Sequence, residues 1–436
     1  MELSDEPEVL VLGGGFAGLT AARDLGERGR RIVLLEARDR LGGRTWTRQL
    51  PAAEPGSTVL AEMGGTWFSR KHQPAIAAEI ARYGVAVSET MQTKRTIAVS
   101  TQGRVEGVTP TEVFADLFAP AQEAIARGVS DVQAAVESGE PFPAHLDINA
   151  STWIDGLEVP RETSDQLRSW FATMAGGSPD ELSLMGLLGD LAFTGYGLES
   201  TFEEVGETFT DGTDTLVQAI RGDIRGEVIT GVEVAGLRQD GDRVIVSSTD
   251  GRSWSTSAAV VALPLNCLGD VAFDPPLDEV KAGATRRGHV GRSTKIMAVT
   301  EGFGVGTFAT SWGLPIQAAI GMRPAGAGAE IVACFDGMQA LEDPHDAAEI
   351  EQALQQFVPE TRVLQVTCHD WNADPSAKGA WLAWPPGWVN EVVPTLAQPQ
   401  GRVAFAGSDI ALEGGGYIEG AIESGHEAAA YVDGLL

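Results

Sequence analysis

The segment Val9–Thr45, VLVLGGGFAGLTAARDLGERGRRIVLLEARDRLGGRT, decides the fold. Val9–Leu12 is a short apolar run suited to a buried parallel strand. Gly13, Gly15 and Gly18 follow in the spacing GxGxxG and open a helix whose apolar face carries Leu19, Ala22 and Leu25. Ile32–Leu35 makes a second strand, and Glu36 stands at its end, 21 residues after Gly15. Gly13 permits a tight turn, Gly15 lets the backbone approach a pyrophosphate, and Gly18 lets helix and strand pack closely. The free N–H groups at the helix start, around Ala17, face the phosphates, and Glu36 can accept both hydroxyls of an adenosine ribose. Glycines alone would also suit a plain structural turn. Strand, glycines, helix, strand and acid in this order point to a bound dinucleotide.

The sequence that follows says which dinucleotide. Glu36-Ala37-Arg38 leads into Leu41-Gly42-Gly43-Arg44-Thr45, a second glycine loop and a cation where a cofactor larger than NAD would continue. Near the other end, Arg402–Val432 reads RVAFAGSDIALEGGGYIEGAIESGHEAAAYV. A short strand, Val403–Ala406, leads to Gly407-Ser408-Asp409. A glycine run then opens a helix with Ile418, Ala421, Ile422 and Gly425 on one face. Asp409 is placed to bond a ribityl hydroxyl. The helix start at Tyr417 and Ile418 can face the pyrimidine edge of a flavin, where reduction adds negative charge; such a dipole contributes roughly 0.3–1 kcal/mol when exposed. The cofactor expected from both ends together is FAD.

With Glu62-Met63-Gly64-Gly65-Thr66-Trp67, Asp211-Gly212-Thr213, Ser293-Thr294-Lys295-Ile296, Trp371-Asn372-Ala373-Asp374-Pro375 and Gly379-Ala380-Trp381, the chain resembles the flavin-dependent amine oxidase family over most of its length. That family holds monoamine, polyamine and L-amino acid oxidases. Within it, Ser69–Val85, His369–Trp381 and Gly407–Ser424 resemble the bacterial 6-hydroxynicotine oxidases. The resemblance implies an α/β fold: a Rossmann-like FAD-binding domain of amine oxidase or p-hydroxybenzoate hydroxylase-like topology, interleaved with an α+β substrate-binding domain. Residues 1–85, 209–295 and 395–436 are expected to form the first, and residues 86–208 and 296–394 the second. The implied FAD contacts are Gly13, Gly15, Ala17, Gly18, Glu36, Ala37, Arg38, Gly43, Arg44, Gly64, Gly65, Thr66, Gly407, Ser408, Asp409, Tyr417 and Ile418, with Val232 touching adenine through its backbone.

The same resemblance implies the chemistry. Lys295, in the apolar run RSTKIMAV, would hold a water against the reactive ring nitrogen of the flavin. Trp381 and Tyr417 would flank a neutral amine, whose α-C–H passes a hydride to the flavin to give an imine. Dioxygen would then reoxidise the flavin and release hydrogen peroxide. Gly379 and Ala380 stand where covalent members carry a flavin-bonding cysteine, so the FAD should be noncovalent. Thr173 takes the place of a pocket asparagine of the hydroxynicotine oxidases. Trp67, Thr173, Met174, Phe193, Tyr196, Trp312 and Phe335 are candidates for the substrate pocket, each equally open to a core-packing role. Two other activities share these features. An L-amino acid oxidase needs a buried arginine, for which Arg287 and Arg323 are available, and a desaturase or isomerase would use no amine. A non-catalytic FAD-stabilised binding protein is a third class.

Composition bounds the rest. The 436 residues suit two intertwined domains. With 31 basic and 61 acidic residues, the formal charge of −30 argues against nucleic acid or an anionic membrane as partner. The start MELSDEPE does not read as a signal peptide, and no apolar run is long enough to span a bilayer, so a cytoplasmic protein is expected. The three cysteines and six histidines lack disulfide or metal-ligand spacing. Cys368-His369-Asp370 cannot converge as a nucleophile cluster, because neighbours on a strand point to opposite faces. The oligomer is left open, a homodimer being one option. Helices are expected over 111–139, 160–195 and Ala347–Phe357, and strands over Val228–Val234, Arg243–Ser248, Ala258–Leu263, Ile331–Phe335 and Val363–Cys368.

Overall fold

A computed structural model describes residues 6–90, 92–194 and 206–436. Its first layer is a five-stranded parallel sheet. Val9–Leu12 lies at its centre between Ile32–Glu36 and Ala258–Val261, with Gly226–Thr230 and Val403–Phe405 at the two edges. The central strands are buried on both faces, as their unbroken Val/Leu/Ile/Ala content requires. Two of the glycines are forced by space. Gly13 has φ +105°, and a Cβ there would sit 2.4 Å from the Ala262 carbonyl oxygen; at Gly18 it would sit 1.9 Å from that of Gly13. The helix Phe16–Glu27 therefore lies directly on the sheet. Over it packs the C-terminal helix Ile418–Leu435, whose Gly425 faces the Ala17 carbonyl with room for hydrogen alone.

One charge in this layer was not expected from the sequence. Arg23 sits within the first helix yet is 1 % exposed, and its guanidinium donates to Glu79 at 2.5 Å from the helix Pro74–Tyr83. Asp24 and Tyr83 accept from it as well. Asp24 in turn meets His426 of the last helix at 2.5 Å. A buried network ties the three helices on this face.

The second layer is a seven-stranded sheet in the order 362–368, 294–301, 330–336, 318–324, 307–311, 95–100, 103–107. Helices Pro110–Phe118, Gln122–Ser138, Arg161–Met174 and Leu184–Thr194 cover part of it, around Phe114, Phe118, Leu167, Trp170 and Leu188. The expected helix over 111–139 is two helices, broken through Ala119–Ala121, where Pro120 lacks the N–H the helix would need. The expected helix over 160–195 also splits, because Gly176 adopts φ +67° and Pro179 follows. The run Val228–Val234 ends one strand at Thr230, turns at Gly231 (φ +70°), and starts another at Val234 in a separate four-stranded sheet. The strands around 331–335 and 363–368 form as Glu330–Asp336 and Arg362–Cys368. Two of the expected domain crossings, at 295/296 and 394/395, fall inside the strand Thr294–Glu301 and the short helix Val393–Leu396. Among the described residues no helix is long and apolar enough to cross a membrane.

Breaking a buried ion pair from one side leaves an uncompensated charge. Arg23→Met should lower the free energy of unfolding by about 3–5 kcal/mol, read from urea denaturation of the holoprotein. An unchanged midpoint would show that the Arg23–Glu79 pair adds nothing net to stability.

Candidate active site

A cavity of about 410 Å³ runs from the carboxyl end of the parallel sheet to the helical layer over the larger sheet. At the sheet end it is lined by Gly13, Gly15, Ala17, Glu36, Ala37, Arg38, Gly43 and Arg44. The first helix starts at Gly15 with no side-chain cap, so its opening N–H groups are free to bind an anion. Gly15 and Gly43 face each other across a slot: a Cβ on Gly43 would lie 3.2 Å from the Gly15 Cα. Glu36 is 4 % exposed; one oxygen accepts from the Gly14 N–H at 2.6 Å and the other from the Arg38 N–H at 2.9 Å. Each oxygen keeps a second lone pair for a ribose hydroxyl. A glycine-walled slot with open helix amides and a fixed acid suits a dinucleotide diphosphate.

Further along, Arg44 gathers the C-terminal motif. It donates to the Ala380 carbonyl at 2.6 Å, to Ser408 Oγ at 3.0 Å and to Asp409 Oδ1 at 2.5 Å. Asp409 also accepts from the Leu265 N–H at 3.0 Å. Burial raises the Asp409 carboxyl, but Arg44 together with the Leu265 N–H and the other groups around it outweighs burial and holds the group below the usual carboxylate range. Gly64, Gly65, Thr66, Gly407, Tyr417 and Ile418 line the same cavity. Gly18 and Val232 do not. Gly18 serves helix packing, and the Val232 N–H is already donated to the Glu36 carbonyl at 2.9 Å, leaving its carbonyl for an adenine edge.

Lys295 points inward from the strand Thr294–Glu301 and is 3 % exposed. Its Nζ donates to the Gly64 carbonyl at 3.0 Å and to Thr66 Oγ1, and lies 4.6 Å from the Trp67 ring centre. Burial pushes the ammonium down to about 7; the Glu62 carboxylate opposes this and Arg323 adds to it. At neutral pH the lysine can therefore hold or release a proton inside the cavity.

Trp381 and Tyr417 both line the cavity. The Trp381 indole N–H donates to the Met174 carbonyl at 2.9 Å, and a Cβ at Gly176 would come within 2.5 Å of the ring. Phe335 meets Trp381 edge-on at 6.3 Å and Trp67 at 5.7 Å, forming one aromatic wall. Thr173 and Met174 line the cavity too, and the Thr173 hydroxyl donates to the Ser169 carbonyl of its own helix at 2.9 Å. It is left as an acceptor. Trp312 is not among the lining residues; it follows the strand Thr307–Ser311, where its N–H bonds the Val99 carbonyl. The side chain of Phe193, and all of Tyr196, lie outside the described residues.

Several lining residues escaped the sequence reading. Gln166, Ser169 and Trp170, together with the expected Thr173, repeat at i, i+3, i+4 and i+7, one face of Arg161–Met174 turned to the cavity, with Phe114 and Phe118 from the helix Pro110–Phe118 and Phe308 from the sheet. The mixed polar and aromatic stripe was the available signal. Charged lining residues are Glu36, Arg38, Arg44, Lys295 and Asp409, all beside the glycine loops; among the described residues the helical side has none. Arg287 is exposed and stacks on Trp388, and Arg323 donates to the Leu60 carbonyl, so neither enters this cavity. Cys368 contacts His345 while His369 bonds Asp374, so the three neighbours 368–370 do not converge. Among the described residues no cluster could hold a metal ion. His289 is fully buried and pushed down to about 4 by desolvation, so it is neutral at pH 7.

Known proteins match this arrangement along its length. Over residues 16–433 the chain fits the family model described as flavin containing amine oxidoreductase. It is 31% identical to the (S)-6-hydroxynicotine oxidase of Paenarthrobacter nicotinovorans, over 96% of this chain and 97% of that one. It is 30% identical to a pseudooxynicotine dehydrogenase of a Pseudomonas species, over 98% of this chain and 86% of that one. The solved cyclohexylamine oxidase of Brevibacterium oxydans shares the fold, with a TM-score of 0.84 at 21% identity over 98% of this chain and 99% of that one. A glycine-walled dinucleotide slot, a buried lysine beside it and a wall of aromatic rings are thus found in a chain that belongs to the flavin-containing amine oxidoreductases.

Proposed function

We propose that this enzyme oxidises a monoamine with an uncharged, largely apolar body, bound as the neutral amine between Trp381 and Tyr417. The observation that carries the reading is the separation of charge along the cavity. Among the described residues every charged lining residue sits at the cofactor end, and the helical side offers Phe114, Phe118, Trp170, Phe308 and Phe335 with Gln166, Ser169 and Thr173. A diamine would place its second ammonium, and an amino acid its carboxylate, against a wall whose described residues carry no charge. Thr173, whose hydroxyl proton is already committed, can accept from an N–H or O–H on the substrate.

The residues proposed to act are Lys295, Trp381 and Tyr417. When bound, FAD supplies the redox chemistry, taking a hydride from the amine α-carbon and passing electrons to dioxygen to give hydrogen peroxide. Trp381, fixed by Met174 and Gly176, orients the amine and excludes water from it. Lys295 holds or moves a proton at its Nζ beside Gly64 and Thr66. Ala380 is held against Arg44 and offers no sulfur to the flavin, which supports noncovalent binding. Three buried free thiols support a reducing, cytoplasmic setting. The test of the substrate class is a peroxide-coupled screen of monoamines with neutral rings against diamines and amino acids. Turnover confined to the first group is expected; a preference for diamines or amino acids would overturn the reading. Anaerobic bleaching by the same amines without peroxide in air would instead assign the electrons to a redox partner.

The flavin should leave with the supernatant as FAD when the protein is precipitated with acid, measured by absorbance and chromatography. Flavin retained by the denatured chain would show a covalent link.

The rate should also depend on pH in a defined direction. An aliphatic amine with a pKa near 10 is neutral in about one molecule per thousand at pH 7, a cost of roughly 4 kcal/mol. Loss of hydride needs the nitrogen lone pair, so only the neutral form reacts. The uncharged wall lowers the bound amine's pKa by desolvation. Under saturating substrate, anaerobic flavin reduction should quicken between about pH 6 and 9, with an apparent pKa below that of the free amine. A rate that falls across this range would rule out reaction from the neutral amine.

A further inference from the structure

A second, small cavity of about 10 Å³ adjoins the first through Thr66, which lines both. Glu62, Arg323, Met297 and Phe209 complete most of its wall. Its size suits a single water. The Glu62 carboxylate is 7 % exposed. Oε1 accepts from Thr47 Oγ1 and from the Thr213 N–H, each at 2.9 Å, whereas Oε2 is buried and has no hydrogen-bond partner among the described residues. Burial raises the Glu62 carboxyl, the Thr213 N–H and Lys295 pull it back toward the ionised form, and a polar occupant of the adjoining space would supply the donor that Oε2 lacks. Thr66 connects this space to the lysine: its hydroxyl donates to the Gly64 carbonyl at 2.9 Å and accepts from Lys295 Nζ.

We propose that Glu62, acting across this small cavity and Thr66, sets the charge that Lys295 carries, with Arg323 as its counterweight. The two residues come from different strands, Thr58–Glu62 and Ala318–Pro324, and bear on the lysine with opposite sign. Other charges nearby are turned elsewhere. Asp214, at the start of the helix Asp214–Asp223, bears on Glu62 and accepts from the Thr47 N–H. Asp336, on the strand paired with that of Lys295, stands opposite Thr294 and accepts from the N–H groups of Met338, Ala340 and Leu341. Cys368, on the other neighbouring strand, stands opposite Ile296 and contacts His345. Arg48 reaches Thr367. Glu62 and Arg323 are thus positioning residues: they touch neither the main cavity nor its contents, and act through Lys295.

The inference rests on Lys295 facing the flavin, and the experiment separates the two. Substrate-free holoenzyme is titrated from about pH 5 to 10 while the visible flavin spectrum is followed, with Lys295→Met defining the part of the change owed to the lysine. In parallel, urea unfolding of each variant is compared with the same variant carrying Lys295→Met. This difference reads the lysine charge without the flavin. A lysine held below its unfolded pKa makes the protein less stable as pH falls from the unfolded value toward the folded one, so the lower edge of that fall marks the folded pKa. Glu62→Gln should move this edge, and any spectral transition, down by about one pH unit or more, and Arg323→Met should move them up. A loss of packing would not give opposite signs from the two variants. Edges that stay in place, or shift in the same direction in both, would overturn the proposal. Opposite shifts in unfolding with no lysine-dependent spectral change would support the proposal and remove Lys295 from the flavin.

Discussion

The close approach of the first and last helices is the contact on which the molecule depends. Phe16–Glu27 can lie on the parallel sheet only because Gly18 has no side chain, and Ile418–Leu435 can lie on Phe16–Glu27 only because Gly425 has none. Residues some four hundred positions apart are thereby stacked in three layers. Both helices then begin at the same cavity, one capped at Gly15 and the other at Tyr417, neither with a side-chain cap. Two positive helix ends converge where a diphosphate and a flavin ring would carry negative charge. The Asp24–His426 pair holds the same two helices together from the far side, and the Arg23–Glu79 pair ties the helix Pro74–Tyr83 to the first of them.

Charge is distributed along the cavity with a purpose that the energetics make plain. Arg44, Asp409, Glu36 and Arg38 are committed to one another, to Asp374 and Ser408, and to backbone groups, which fixes the loops before any ligand arrives. Lys295 is held instead by uncharged groups, the Gly64 carbonyl and Thr66 Oγ1, and its burial near Glu62 and Arg323 leaves its proton loosely held. Beyond it the walls are aromatic, with hydroxyl and amide groups that are largely satisfied by protein partners, such as Gln166 between Thr310 and Val99.

The parts legible in sequence are those whose physics is local. The first strand–helix–strand unit follows from an apolar run, three glycines and an acid within one short stretch, and the glycine run before Tyr417 marks a helix start equally well. Lys295 was legible because a charge in an apolar strand needs a reason. Arg23 was not, since its partner Glu79 lies 56 residues away and nothing in either helix alone asks for it. Gln166, Ser169 and Trp170, on the same helix face as Thr173, were overlooked for a related reason: polar residues among aromatics look like an interrupted core stripe until a cavity is seen beside them. Trp312 failed the other way, being an aromatic residue whose position past a strand end could not be read from its type. Val232 followed the correct strand but lost its N–H to Glu36 through a turn at Gly231.

The seating of Trp381 has a bearing on how such a chain can diversify. The ring belongs to the segment that returns toward the C-terminal motif, yet its tilt is set by a carbonyl at Met174 and a bare backbone at Gly176, both from the helical cover. Arg292 and Ser293 fasten the same Gly176 carbonyl to the approach of the lysine strand. The cover is therefore not an interchangeable module. Ser169 and Trp170 meet the cavity from the cover's own helix, whereas the three-residue turn 174–176 is shared by the cover and the segment that carries Trp381. Recombination between relatives that exchanged the helices without this turn would deliver a new pocket facing a misaligned wall.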